Sequence, residues 1–461
     1  MGVLTGSEDG SVLRASYERV PGVSDRRLRK SAEAGTHAGG TAVRAVALVP
    51  ERPGGGLGAD RPRDVPASYI LLTAGAKEVL HAWRVAWSPL RSSRERNVDD
   101  EGGVSAVGGV SAVSTEWELR VSLVATRGAL EKEGHATWKK GCVSVAASVA
   151  SDQRYMDVAG FVPESTSGTS SKCACAAIVA SSVGDVTVLS LDGATTRRGR
   201  RAGEGTGEWR VAARLRYHDR PALAVAVASV DVDVSDKVSD TPGPGPGPGD
   251  TRTMRTVTVA CTGATDGTVA AWDLTAVAAS IADDANPNLA DDGATRLAPA
   301  LAPAGVFPRA HQSGVNGLAL ARAPGGAPGR LLLATGGDDQ TFRVAALRVA
   351  PRDDGVAGFA VSVLASVATD FAHGSAIKGV WLDARGTAAT TSHDQRLRVW
   401  RVDVIEEEAC GAGGSVRVRV EAAAGSFVEC PEPEGLDALA GADGKTRVAV
   451  SGRGVQMFLL E

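Results

Sequence analysis

A histidine, a hydroxyl residue and an aspartate can together make a nucleophile, with the carboxylate orienting the imidazole and the imidazole taking the hydroxyl proton. This 461-residue chain carries that trio more than once, as His218, Thr262 and Asp266 and again as His373, Thr390 and Asp394. In both sets the Asp follows the Thr by four residues, and a Trp, Trp272 or Trp400, stands six residues beyond the Asp. One active site needs such a set once. A set that recurs along the chain reads better as internal cement, in which buried polar side chains satisfy one another. The chain has no G-x-S-x-G elbow, P-loop, G-x-G-x-x-G opening a helix, or H-E-x-x-H. The expectation is a non-catalytic chain with no cofactor and no small-molecule substrate.

Metal chemistry finds no better footing. The six cysteines, Cys142, Cys173, Cys175, Cys261, Cys410 and Cys430, include no C-x-x-C pair. Cys173 and Cys175 share one side of an apolar strand-like run, without the two further ligands a metal site needs. They read as buried reduced thiols. With no secretory signal pattern, this places the expectation in the cytoplasm. The net charge of −4 argues against a bulk nucleic-acid binder, and no run of about 18 apolar residues suggests a membrane span.

The positioning elements emerge when the turns are aligned. Seven segments share a small apolar strand, a Thr or Ser, a Gly-rich turn and a second apolar strand. They start at Thr5, Thr73, Ser181, Thr262, Thr335, Thr390 and Ser451. Asp9, Asp185, Asp266, Asp339 and Asp394 fill the turn position, while Lys77 and Val455 replace it in two copies. The Trp position holds Trp83, Trp272 and Trp400, but Ala15, Leu191 and Ala345 in other copies. Apolar and polar residues alternate on both sides of each turn, as in a β-hairpin. A His precedes a short apolar strand at His37, His218, His311 and His373. The 56 Gly and 21 Pro suit many short strands, and with aromatics at 4% the packing must fall to Val, Ala and Leu.

This pattern resembles WD repeats, in which the His, the strand Thr or Ser, the turn Asp and the Trp hydrogen-bond within a blade. The resemblance implies an all-β WD40-repeat β-propeller of about seven four-stranded blades over residues 1–461. The best blade networks are then His218, Thr262, Asp266 and Trp272, and His373, Thr390, Asp394 and Trp400. The copies lie about fifty-five to a hundred residues apart, so long inserts are expected at 50–66, 89–115, 231–253 and 282–308, all flexible loops. The pattern begins at a second strand and stops after a third, as in the C-terminal part of a longer protein.

Five segments go further: TAGAKEVLHAWRV from Thr73, SDQRYMDVAGF from Ser151, CTGATDGTVAAWDL from Cys261, AHQSGVNGLALA from Ala310 and HDQRLRVWRV from His393. They resemble the C-terminal region of the WD-repeat protein 6 family. Its members are partner subunits of the eukaryotic tRNA ribose 2′-O-methyltransferase that modifies the wobble position. The resemblance implies a scaffold that binds the methyltransferase catalytic subunit and helps place tRNA. The alternative is a general WD40 adaptor in trafficking, signalling or ubiquitin ligation, although the W-D-x-R ending of ligase receptors is missing after Trp272 and Trp400. Three basic groups are candidate tRNA-phosphate contacts on loops of one propeller face. They are Arg26, Arg27, Arg29 and Lys30; Arg91, Arg94 and Arg96; and Arg197, Arg198, Arg200 and Arg201.

Overall fold

The computed structural model describes residues 2–18, 27–36, 42–50, 68–89, 117–127, 153–163, 173–192, 207–235, 253–283, 298–353, 357–407, 415–440 and 444–460. Alternating apolar and polar residues build antiparallel sheets that follow one another in chain order. The first sheet holds β1 (Gly2–Gly6), β2 (Ser11–Glu18) and β3 (Arg27–Thr36). The second holds β4 (Val43–Pro50), β5 (Ser68–Gly75), β6 (Leu80–Pro89) and β7 (Trp117–Arg127). The third is β8 (Tyr155–Phe161), β9 (Cys173–Ser181), β10 (Val186–Asp192) and β11 (Trp209–Leu215). The fourth begins with β12 (Ala222–Asp233), β13 (Met254–Ala264) and β14 (Val269–Asp273).

After β14 a short helix, α1 (Thr275–Ala282), leads to two small strands. The first, β15 (Ala300–Leu301), lies parallel on β11 as a fifth strand of the third sheet. The second, β16 (Gly305–Phe307), returns to β14 and completes the fourth. The fifth sheet is β17 (Val315–Arg322), β18 (Arg330–Gly337), β19 (Phe342–Pro351) and β20 (Phe359–Thr369). The sixth is β21 (Ile377–Leu382), β22 (Thr387–Ser392), β23 (Arg396–Glu407) and β24 (Ser415–Phe427). The last is β25 (Gly435–Ala440), β26 (Thr446–Gly452) and β27 (Gly454–Leu460).

The architecture is an all-β propeller. Six of these sheets open on an inner strand, β4, β8, β12, β17, β21 or β25, and count as blades; β1–β3 has no such strand. Among the described residues the expected count of about seven four-stranded blades is thereby corrected to six, of which β25–β27 shows three strands.

Packing lies between blades. Val49, Ile70 and Leu72 of the second sheet meet Tyr155, Val158 and Leu189 of the third. Ile178 and Val188 of the third meet Ala260 and Trp272 of the fourth. Leu332 and Phe342 of the fifth meet Ile377 and Trp400 of the sixth, with the Phe342 and Trp400 rings stacked at 5.1 Å. Valine, alanine and leucine supply most of this interior. Burial of such side chains contributes roughly 1.5–3 kcal/mol each for the larger ones.

The hairpin turns show why Asp recurs. Asp266 Oδ1 accepts from the Thr268 N–H at 2.9 Å, and Asp9, Asp339 and Asp394 accept in the same way from Ser11, Thr341 and Arg396. The next residue turns left-handed, at Gly10, Gly267, Gln340 and Gln395.

The insert boundaries are narrower than expected. β12 runs through Asp233, and β15 and β16 fall inside 282–308. The alanine- and proline-rich composition there had masked two strands too short to alternate visibly. The remainder of the expected inserts lies largely outside the described residues.

Candidate functional site

Thr390 sits on β22 and Trp400 diagonally across on β23, both facing the interior. The Trp400 indole N–H donates to Thr390 Oγ1 at 2.9 Å, and His373 Nε2 lies 2.8 Å from the same oxygen. His373 Nδ1 meets the Asp394 carboxylate at 3.1 Å. Asp394 can only accept there, so Nδ1 carries the proton and Nε2 accepts from the Thr390 hydroxyl. Every proton in the chain has one place to go. Burial lowers the His373 pKa, with Asp394 opposing.

The geometry copies that of an acid–histidine–hydroxyl triad, but Thr390 is 0% exposed and its oxygen already accepts from Trp400. No substrate can reach it.

The preceding blade repeats the arrangement without a Trp. His311 Nδ1 lies 2.9 Å from Asp339 and Nε2 lies 2.8 Å from Thr335 Oγ1. Burial lowers the His311 pKa. Burial alone would raise the Asp339 carboxyl, but hydrogen bonds from the Gln312 N–H, His311 and the Thr341 N–H outweigh it and lower it. This network was not among the two sequence-selected sets. His311, Thr335 and Asp339 all stood in the repeat frame, and Ala345 in the Trp position hid them.

The fourth sheet differs from its expectation. His218 Nε2 lies 2.8 Å from Thr262 Oγ1, and the Trp272 N–H donates to that oxygen at 3.0 Å. Asp266 does not join them: it is exposed, and His218 Nδ1 is buried without a hydrogen-bond partner. The Thr262 hydroxyl turns to the Ala270 carbonyl at 3.5 Å. That leaves His218 Nε2 as the donor, the reverse of the His373 tautomer. Burial again lowers the imidazole pKa.

The third copy sits two residues out of the expected frame. The Gly184 and Gly267 turns superpose in their hydrogen bonds, so Ser181 corresponds to Ala264 and Asp185 to Thr268. The Thr, Asp and Trp positions there are held by Val179, Val183 and Leu189. In the second sheet the Trp83 N–H donates to Thr73 Oγ1 at 3.0 Å beside the buried His81.

Of the candidate tRNA contacts, Arg27, Arg29 and Lys30 fall on β3, paired with β2, and not in a connecting loop. The outer strand starts earlier than expected because RLRKSAEAGT continues the ladder with two register shifts. Arg26, Arg91, Arg94, Arg96, Arg197, Arg198, Arg200 and Arg201 lie outside the described residues. Among the described residues no group of three His, Cys, Asp or Glu could hold a metal ion, and no helix is long and apolar enough to cross a membrane.

One face of the molecule gathers exposed side chains beside these networks. Phe371, two residues before His373, is 81% exposed and is held left-handed at φ 53°. Arg309, two residues before His311, is exposed at φ 56°. Tyr217, next to His218, is 41% exposed. Next to Asp339 in the chain, Asp338 accepts from Asn316 Nδ2 at 2.6 Å and pairs with Lys378 at 3.6 Å.

No family model matches the chain, and no curated protein matches it. Among solved structures it is similar to the WD40 β-propeller domain of Doa1, at 11% identity over 100% of this chain and 89% of that one, with a TM-score of 0.41. It is also similar to Chaetomium thermophilum Sqt1 bound to the N-terminus of the ribosomal protein L10, at 14% identity over 98% of this chain and 94% of that one, with a TM-score of 0.41.

Proposed function

We propose that this chain is a protein-interaction scaffold whose partner covers the face bearing Phe371, Arg309 and Tyr217. The observation that carries it is Phe371. An exposed ring gives up its burial energy, and a left-handed non-glycine costs on the order of 1 kcal/mol more. Aromatic and arginine side chains are the residues that anchor protein interfaces when desolvated. The equivalent position of the preceding blade holds Arg309 in the same backbone conformation.

The finer reading names the partner as the catalytic subunit of a tRNA ribose 2′-O-methyltransferase, with tRNA brought to it for wobble methylation. Its support is the resemblance of the five segments, with the two basic groups at Arg91–Arg96 and Arg197–Arg201 as its candidate tRNA contacts. Affinity capture from extract, comparing the parent with a Phe371→Gly, Tyr217→Ser double variant, tests both levels. A partner captured by the parent and lost by the variant supports the scaffold. Equal recovery by both overturns this face. A methyltransferase subunit in the capture, with lost wobble 2′-O-methylation in a deletion strain, supports the finer reading. Adaptor or ligase subunits with normal methylation overturn it in favour of the general scaffold.

A further inference from the structure

The hairpin of β23 and β24 is not evenly balanced in charge. Arg401 pairs with Asp403 at 3.3 Å, and Arg419 pairs with Asp403 at 2.9 Å and Glu421 at 3.5 Å. Arg396 and Arg398, on the same strand, have no acidic side chain paired with their guanidinium groups among the described residues. Two residues apart on a strand, they share one face at a spacing of about 7 Å. Across the ladder stand Phe427, opposite Arg396, and Gly425, opposite Arg398. A Cβ at Gly425 would meet nothing nearer than the Leu397 carbonyl at 3.5 Å, so the way from Arg398 over β24 is open. Arg396, Arg398 and Gly425 line a groove of about 380 Å³ with Ala422 and Ala424.

β24 is also the last strand of its sheet, with no strand on its outer edge among the described residues. Glu421 to Phe427 are all exposed. An unpaired edge offers a row of backbone donors and acceptors to any strand that can lie along it. This molecule fills one such edge itself, where β15 pairs in parallel with the outer strand β11. A bulge at Ala423 interrupts β24, and the regular stretch beyond it, Ala424–Phe427, is the one that faces Arg396 and Arg398.

We infer that this edge takes up an extended acidic segment of a partner protein as an added strand. Two carboxylates in an acid-x-acid spacing meet the Arg396 and Arg398 guanidiniums over Gly425, while backbone hydrogen bonds to β24 supply the rest. Nucleic acid would satisfy the two arginines, but a phosphate backbone makes no use of a sheet edge. The site does not include Phe371, and the inference does not rest on the reading proposed above.

The probe is a pool of nonapeptides with a Glu-x-Glu centre and the other positions randomised, with a Lys-x-Lys pool and a single-stranded RNA oligonucleotide as comparators. Saturable binding of the acidic pool should protect β24 amides from hydrogen exchange. An Arg396→Ser, Arg398→Ser variant of unchanged melting temperature should bind about tenfold more weakly. Arg396→Glu with Arg398→Glu should shift preference to the Lys-x-Lys pool, and Phe371→Gly should leave binding unchanged. Absence of saturable binding overturns the inference, as does peptide binding without protection of β24. RNA binding that depends on both arginines while the peptides fail assigns the patch to nucleic acid and overturns it as well.

Discussion

The Asp157 carboxylate of β8 reaches the inner strand of the next blade, where its Oδ2 accepts from the Val225 N–H at 2.8 Å. Its Oδ1 accepts from the adjacent Val158 N–H at 2.8 Å. Burial raises the carboxyl from 3.8 to about 7, against the lowering effect of those two N–H groups. An acid whose folded pKa is raised takes up its proton more readily folded than unfolded. Its contribution to stability is therefore complete below the unfolded value and lost as pH rises through the folded one. The ceiling is about 4 kcal/mol at roughly 1.4 kcal/mol per unit, reduced because the side chain keeps partial access to solvent. Asp157→Asn cannot titrate. The melting-temperature difference, parent minus variant, should fall from about pH 4 to about pH 7 and level above it. A difference independent of pH would show that Asp157 does not exchange its proton with folding. The lowered pKa values of His218, His311 and His373 act in the opposite sense, costing stability as pH falls below 6.5. They are common to both proteins and cancel in the comparison.

Two turn aspartates that look alike in sequence should differ in worth. Asp394 holds His373 and accepts from the Gly374 and Arg396 N–H groups. Asp394→Ala leaves a buried imidazole N–H without its acceptor and should cost about 1–3 kcal/mol. Asp266 accepts from the Thr268 N–H and makes no hydrogen bond to His218. Asp266→Ala should cost less than about 1 kcal/mol. Chemical denaturation of both variants beside the parent measures the two losses, and equal losses would contradict the geometry.

That contrast shows what the residues alone could reveal. The hairpins, their inward Thr and Trp residues and the propeller class were legible because strand alternation and turn chemistry are local. The two-residue slip at Ser181 was not: β-strands repeat every second residue, so a shift by two keeps every side chain on its face. Only the bonds around Gly184 place the turn. The withdrawal of Asp266 was equally hidden, since spacing fixes which face a side chain takes but not whether it spans to the next loop. The Asp157 link and the β15 addition to β11 join segments far apart in the chain, where no periodicity reaches. The unpaired state of Arg396 and Arg398 appears only once Arg401 and Arg419 are seen to claim Asp403 and Glu421.

The left-handed turn position should tolerate substitution in one blade and not in another. A Cβ on Gly267, at φ 77°, would lie 2.1 Å from the His311 carbonyl oxygen. Gly267→Ala must displace backbone, and it should destabilise by more than the roughly 1 kcal/mol of a left-handed alanine. Gln340 holds the same turn position at φ 65° as a non-glycine. Gln340→Gly should change stability by less than about 1 kcal/mol, with relief of strain set against a freer unfolded chain. Thermal melting of the two variants should separate them clearly, and a larger loss for Gln340→Gly would refute the account.

Phe371 offers the sharpest separation of stability from recognition. At 81% exposure its ring contributes little to the folded chain, and its φ of 53° burdens the backbone. Phe371→Gly removes both the ring and the penalty, and only the added freedom of the unfolded chain opposes it. The melting temperature should stay level or rise, by the equivalent of up to about 1 kcal/mol. If the ring anchors a partner, the same variant should bind that partner at least about tenfold more weakly, the loss of one well-packed aromatic. Phe371→Leu keeps apolar area but not the ring and should fall between. A variant both less stable and weaker in binding would mean that Phe371 serves the fold, and that the partner reads some other surface.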